Sequence, residues 1–232
     1  MDNPTLLLVH GAWHRQETWR TLVQHLPYDL DVRTVQLPSS GPVPPSELGD
    51  LYDDADTVRA AVEAIGRPTV VVAHSYGGAP VSQGLVGADT VRRIVYLAAF
   101  QLDVGESMDS VVGERPYFWG TDHYDEGWYE MTDPMNIFYP DLEPEVAKAA
   151  VDALGPHSVA SFSQTLTQAA WRTIDSTFIL TAKEPRSLYE SFPPRARRVR
   201  TIDTGHSPFL STPGELAGML MNEIAEAAEG DR

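Results

Sequence analysis

The sequence predicts an α/β fold: a doubly wound, mostly parallel sheet of about six strands, with a helical cap inserted into it. Three observations predict it. Six short apolar runs recur along the chain, and they are continuous rather than alternating, as strands buried on both faces of a parallel sheet are. Segments with helical spacing separate them, which is the rhythm of right-handed strand–helix–strand crossovers. The rhythm breaks once, between Gln101 and Trp171, where aromatic residues are dense and no strong buried strand is visible.

The first strand is "TLLLVH", Thr5 to His10. Trp19, Leu22, Val23 and Leu26 then fall on one helical stripe. "VRTVQL" (Val32 to Leu37) is the second strand, and a Pro/Ser-rich loop, "PSSGPVPPSE", follows it. Leu51, Ala55, Val58, Val62 and Ile65 form the buried stripe of the next helix, with Gly66 placed as its C-terminal cap. The acidic run "DLYDDAD" (Asp50 to Asp56) reads as the solvated face of that helix rather than as a calcium site. "TVVVA" (Thr69 to Ala73) and "RIVYLA" (Arg93 to Ala98) are the central strands. Within the insertion, "LEPEVAKAAVDAL" (Leu142 to Leu154) reads as a helix. "TFILT" (Thr177 to Thr181) and "VRTID" (Val199 to Asp203) complete the sheet, and "RARRVR" before the last strand reads as surface. "TPGE" (Thr212 to Glu215) predicts a capping box, with proline at the first position of the final helix. The division expected is a core of residues 1–100 and 172–232 and a cap, or lid, of residues 101–171.

Composition narrows the function. Of 232 residues, 17 are basic and 33 acidic, a net charge of −16, which argues against nucleic acid and anionic membrane surfaces as partners. With no cysteine there is no disulfide, thiolate nucleophile or Cys-ligated metal. The N-terminus has no basic flank and only a short apolar run, so neither a signal peptide nor a membrane span is expected, and a cytoplasmic location is. The expected partner is a small-molecule substrate, with a homodimer left open.

The stretch "VVVAHSYGG" (Val70 to Gly78) carries the chemistry. A strand runs into a helix through a sharp turn with Ser75 at the corner and small residues, Ala73 and Gly77, two places either side. In such an elbow the strand and helix nearly touch, the serine hydroxyl stands clear of the sheet, and the next N–H, that of Tyr76, points into the site. "HGAWH" (His10 to His14) follows the first strand, where the N–H of Ala12 can act as a second oxyanion donor. His10 and His14 stand four apart, but Gly11 between them opposes a helix, so His10 reads as a brace of this loop rather than as a metal ligand. "TGHSPFL" places His206 after the last strand, positioned to take the serine proton. The acid that would orient it is Glu184, after "TFILT", with Asp103 in reserve; Asp175 lies at the wrong end of its strand and Asp203 reads as a turn ligand. Trp13 and His14 are expected at the pocket mouth, and Phe118, Trp119 and Trp128 among the aromatics that line it.

"LLLVHGAWH", "VQLPSSG", "VVVAHSYGG", "FYPDLEPE", "AAWRTI" and "IDTGHSPFLSTPGELA" together resemble the α/β-hydrolase superfamily, in particular its cap-bearing subgroup of methyl-ester esterases and hydroxynitrile lyases. The resemblance runs nearly end to end. It implies Ser75 as nucleophile, His206 as base, Ala12 and Tyr76 as backbone oxyanion donors, a lid over 101–171, and no metal or organic cofactor. Relatives carry an aspartate in a "T-x-D-R-x-x-P"-like turn where this chain has the shorter "TAKEPRSLYESFPP", which leaves the acid between Glu184 and Asp103. Ser207 and Gly11–Ala12 stand where the lyases use lysine and threonine, which disfavours lyase chemistry. The function expected is a serine esterase acting on a small to medium apolar or aromatic ester, thioester or lactone. The alternatives are a lyase or cyclase acting on a secondary metabolite in the same pocket, or a lid-covered ligand-binding protein.

Overall fold

A computed structural model of the chain describes residues 4–114, 116–185 and 189–229. The outermost residues of the expected core, Arg115 of the expected lid, and Arg186 to Leu188 of the shortened turn lie outside the described residues.

β1 (Thr5–Val9) is followed by a 3₁₀ turn and the short helix α1 (Arg20–Val23), and then by β2 (Val32–Val35). α2 (Leu51–Ile65) leads to β3 (Thr69–His74), and α3 (Gly78–Gly84) to β4 (Val91–Leu97). The insertion contributes α4 (Met108–Val112), β5 (Trp119–Gly120), β6 (Trp128–Met131), α5 (Pro134–Phe138), α6 (Pro144–Asp152), β7 (His157–Ser158) and α7 (Val159–Ser163). β8 (Ser176–Thr181), β9 (Arg198–Ile202), α8 (Pro208–Ser211) and α9 (Pro213–Glu229) complete the chain.

The main sheet has the order β2-β1-β3-β4-β8-β9, and every pair in it is parallel. Register explains the apolar runs. Leu6 and Leu8 of β1, with Val70 and Val72 beside them, join one core with Trp19, Leu22, Leu216, Leu220 and Ile224 of the helices on that face. Their neighbours Leu7, Val9, Val71 and Ala73 face the other way, against Leu51, Val58 and Val62 of α2. Both faces are thus buried, so a period of two leaves no polar alternation in the sequence. Each enclosed side chain of this kind stabilises by roughly 1.5–3 kcal/mol. The edge strands β2 and β9 are the less buried ones. Arg198 and Arg200 of β9 pair with Asp175 and Glu226, which charges the edge and discourages further strand pairing. The same ion network reaches inward to Arg93, buried in β4 and bonded to Glu223 at 2.7 Å. Among the described residues no helix is long and apolar enough to cross a membrane.

Several local expectations are corrected. The insertion is not purely helical: β5, β6 and β7 form a small antiparallel sheet. α1 is a single turn whose Val23 is exposed. The Thr212 hydroxyl has no hydrogen-bond partner among the described residues, so the "TPGE" capping box does not form there. A capping box does form at α2, where Asp50 caps the helix and Asp53 reaches back to it. Gly66 ends α2 in the left-handed region at φ 63°, as its spacing implies. The acidic run is not all solvated, since Asp54 is completely buried.

Candidate active site

At the end of β3 the chain turns into a short 3₁₀ helix, Ser75–Gly77, which runs on into α3. Ser75 has φ 53°, a left-handed conformation that costs a non-glycine residue of order 1–3 kcal/mol and persists only where its surroundings impose it. They do so by crowding. A Cβ on Gly77 would stand 2.5 Å from the His10 carbonyl oxygen, and one on Gly11 would stand 2.8 Å from Ser75 Cβ. Glycine at both positions lets the elbow and the loop after β1 nearly touch.

His206 lies in the loop after β9, and its ring is nearly enclosed. Its Nδ1–H donates to Glu184 Oε1 at 2.8 Å, while Nε2 is buried with no partner among the described residues. Glu184 is held in turn. The Thr181 hydroxyl donates to its other oxygen, and the Tyr189 hydroxyl, buried at the end of the same turn, lies 3.3 Å from Oε1 and 3.5 Å from His206 Nδ1. Burial and the neighbouring Glu184 charge push the Tyr189 phenol well above its ordinary pKa, so it stays protonated and donates. Asp103 is elsewhere: it pairs with Arg172 at 2.8 Å and caps the N–H of Val104.

Two further contacts fix the histidine loop. His74, beside the serine, directs its Nε2–H to the His206 carbonyl at 2.9 Å. Asp141, from "FYPDLEPE" in the insertion, accepts the Gly205 N–H at 2.8 Å. On the opposite wall, His10 Nδ1–H donates to the Gly11 carbonyl at 2.9 Å and its Nε2 accepts the Leu37 N–H at 3.1 Å. Desolvation lowers the pKa of His10 to about 4, so the ring is neutral and its tautomer is set by these two bonds.

The residues converge on an apolar cavity with about 490 Å³ of atom-free space, part of it open to solvent. Ser75, His206, Glu184, Ala12 and Tyr76 border it on one side. Trp13, Phe118 and Trp119 line it as expected. Trp13 has φ 62° and its indole N–H donates to the Tyr129 carbonyl at 3.1 Å, which ties the loop after β1 to the insertion.

Two expected lining residues do not reach the cavity. His14 turns beneath the loop, where its Nδ1–H donates to the Ala12 carbonyl at 2.8 Å and its Nε2 accepts the Tyr139 hydroxyl at 3.0 Å. Desolvation lowers its pKa to about 3. Trp128 faces away, stacked on His123 at 3.9 Å. Tyr129 beside it is buried, because alternation along β6 sends neighbouring side chains to opposite faces.

The sequence reading missed Tyr189, Phe100, Met108, Phe138 and Phe162, which complete the walls. Phe138 stacks on the His206 ring at 5.3 Å. Their density was visible, but their direction was not. Among the described residues no group of three or more His, Asp or Glu side chains is arranged to hold a metal.

The chain is similar to known proteins along its whole length. The chain is 31% identical, over 95% of its length and 98% of the other's, to a probable hydrolase of Phoma sp.. It is 27% identical, over 99% of its length and 100% of the other's, to "Alpha/beta hydrolase nvfD" of Aspergillus novofumigatus. Among solved structures, a pyrethroid hydrolase from Sphingobium faniae superposes with a TM-score of 0.81 at 18% identity, over 97% of this chain and 99% of that one. Tomato methylketone synthase I superposes at 0.80 and 15% identity, over 98% of this chain and 100% of that one. At such identities these two show the shared fold. A family profile described as "Alpha/beta hydrolase family" matches residues 6–219, and with that span covered the chain belongs to the alpha/beta hydrolase family.

Proposed function

We propose that this hydrolase is a serine esterase that works through an acyl-enzyme on Ser75. One observation carries the reading: His206 gives Nδ1–H to Glu184 at 2.8 Å and keeps a bare, buried Nε2 on the cavity that Ser75 borders. A histidine held in this tautomer can take a proton only at Nε2, the role a weak hydroxyl nucleophile needs. In the first half-reaction Ser75 Oγ attacks the ester carbonyl carbon as His206 Nε2 takes its proton. The N–H groups of Ala12 and Tyr76 receive the developing oxyanion. The carbon–oxygen bond to the alcohol then breaks, and the alcohol leaves with the proton from His206. Water, deprotonated by His206, attacks the acyl carbon, the acid departs, and Ser75 is restored.

The cavity walls set the substrate class. Apart from Glu184 and His206, which face each other, the lining carries no charged side chain among the described residues. A buried charge without a partner is costly, so a neutral, apolar or aromatic ester, thioester or lactone of small to medium size fits best. The insertion supplies much of this lining and acts as a lid.

Hydrolysis of short-chain 4-nitrophenyl esters tests the reading. The wild-type protein turns them over, and Ser75→Ala, with an unchanged circular dichroism spectrum, loses turnover by as much as about 10⁶-fold. A folded Ser75→Ala protein with near-normal turnover overturns it.

A further inference from the structure

Asp54 stands apart in the acidic run at the start of α2. Asp53 and Asp56 are exposed, whereas Asp54 is 0% exposed. Its two carboxylate oxygens hold two different segments. Oδ2 accepts the Tyr76 hydroxyl at 2.7 Å, and Oδ1 accepts the Ser39 N–H at 2.8 Å. Tyr76 follows Ser75, so its backbone N–H belongs to the elbow, and its ring is completely buried. Ser39 sits in the loop after β2. The adjacent Ser40 hydroxyl donates to the His14 carbonyl at 2.9 Å, at the end of the loop that holds Ala12. The Ser39 carbonyl accepts the Ser158 N–H of the insertion at 2.9 Å. One carboxylate therefore sits between the two backbone segments that carry Tyr76 and Ala12.

We propose that Asp54 is the positioning residue of the oxyanion hole, holding Tyr76 directly and the Ala12 loop through Ser39 and Ser40. The proposal rests on the reading of Ala12 and Tyr76 as oxyanion donors. Its physical basis is that such donors act only when pre-aimed: they must already point to where charge develops, and a displacement of about 1 Å costs on the order of 10²-fold in rate. Backbone N–H groups cannot be re-aimed by their own side-chain torsions. Their direction is that of the backbone, and Asp54 bonds across that backbone from below. Burial pushes the Asp54 carboxyl up to about 7 while the bonds from Ser39 and Tyr76 pull it down, which places a group with a strong demand for donors at this junction. Asp54 does not line the cavity, so it acts through Tyr76 and Ser39 and not on the substrate.

The test uses the full-length protein and two variants, Asp54→Asn and Tyr76→Phe, singly and combined. Asp54→Asn keeps the shape and replaces one acceptor by a donor. Tyr76→Phe removes the hydroxyl and leaves the Ser39 bond, so it carries the test if Asp54→Asn does not fold. Turnover of a 4-nitrophenyl ester is measured at a temperature where each protein is fully folded. Affinity is measured for an arylboronic acid, which forms a tetrahedral adduct on a serine, and for an aryl amide of the same size.

Each single variant is expected to lower kcat by about 10- to 100-fold with KM within twofold. Boronic-acid binding should weaken by a similar factor while amide binding does not change. The double variant should be no worse than the poorer single, because both remove one contact. Folded variants with kcat within twofold of wild type, or changes confined to melting temperature or KM, overturn the proposal alone. A wild-type protein that neither hydrolyses the ester nor binds the boronic acid overturns the esterase reading and this proposal with it.

Discussion

Glu184 reaches His206 from a turn five residues short of Tyr189, and the phenol closes the space between them. Three donors therefore surround one carboxylate: His206 Nδ1–H, Thr181 Oγ–H and Tyr189 Oη–H. The extra methylene of glutamate gives reach but adds a torsion, and the two hydroxyls restrain it. Tyr189→Phe should lower kcat by about 10- to 150-fold, the equivalent of the roughly 1.5–3 kcal/mol of one hydrogen bond to a charged acceptor. Steady-state ester kinetics on the folded variant check this, and an unchanged kcat contradicts it. At this scale the turn at Ser75 and the pairing of His206 with Glu184 were legible, because short motifs and strand ends place these residues. Tyr189 was not, since nothing in its spacing marks an irregular turn. Asp54 could have been found. It lies three residues after Leu51 and four before Val58, on the stripe already read as buried, but the acidity of its neighbours masked it.

Among the elements, the junction of β3 with the helix after it sets the geometry of the site. The 3₁₀ turn at Ser75–Gly77 leans on the end of β1 so closely that Gly77 has no room for a methyl group, with the His10 carbonyl 2.5 Å from where its Cβ would be. The obstacle is backbone, so it does not yield as a flexible side chain would. Gly77→Ala should cost roughly 1–3 kcal/mol. For a chain of this size that lowers Tm by about 2–4 °C for each kcal/mol. Ester turnover should fall too, because the elbow is the part that must shift. Differential scanning calorimetry and ester assays check both, and a variant with wild-type Tm and kcat contradicts the packing argument. The parallel strands were legible as elements, though their ends shift by one or two residues; β4, for example, begins at Val91 rather than Arg93. The small sheet of the insertion was not legible, because strands of two residues, such as β5 and β7, carry no periodicity to read. The orientation of Trp128 was lost with it.

Across the whole molecule, histidine burial dominates the response to acid. Desolvation lowers His10 to about 4 and His14 to about 3 from an ordinary 6.5, and it drives His74 and His157 well below that value too. The unfolded chain binds protons at these four sites near pH 6.5 and the folded one does not, so the stability they contribute is full above pH 6.5 and is lost as pH falls toward 4. Asp54 works in the opposite sense. Its folded value, about 7, exceeds the ordinary 3.8, so its contribution is full below pH 3.8 and is lost as pH rises toward 7. Four groups outweigh one. Tm should fall steadily from pH 7 to pH 5, with net proton uptake on unfolding that grows from less than about one at pH 7 to about three at pH 5. Calorimetry in buffers of different ionisation enthalpy measures this, and a Tm that rises on acidification contradicts it. The fold itself was legible at this scale, because apolar runs and helical stripes repeat along almost the whole chain. The insertion was legible only as an interruption of that rhythm. Labelling with a fluorophosphonate probe, read by peptide mass spectrometry, identifies the nucleophile directly. A single adduct is expected on the peptide carrying Ser75 and, in Ser75→Ala, neither adduct nor turnover. An adduct on another residue, or ester turnover that survives in folded Ser75→Ala, would contradict Ser75 as the nucleophile.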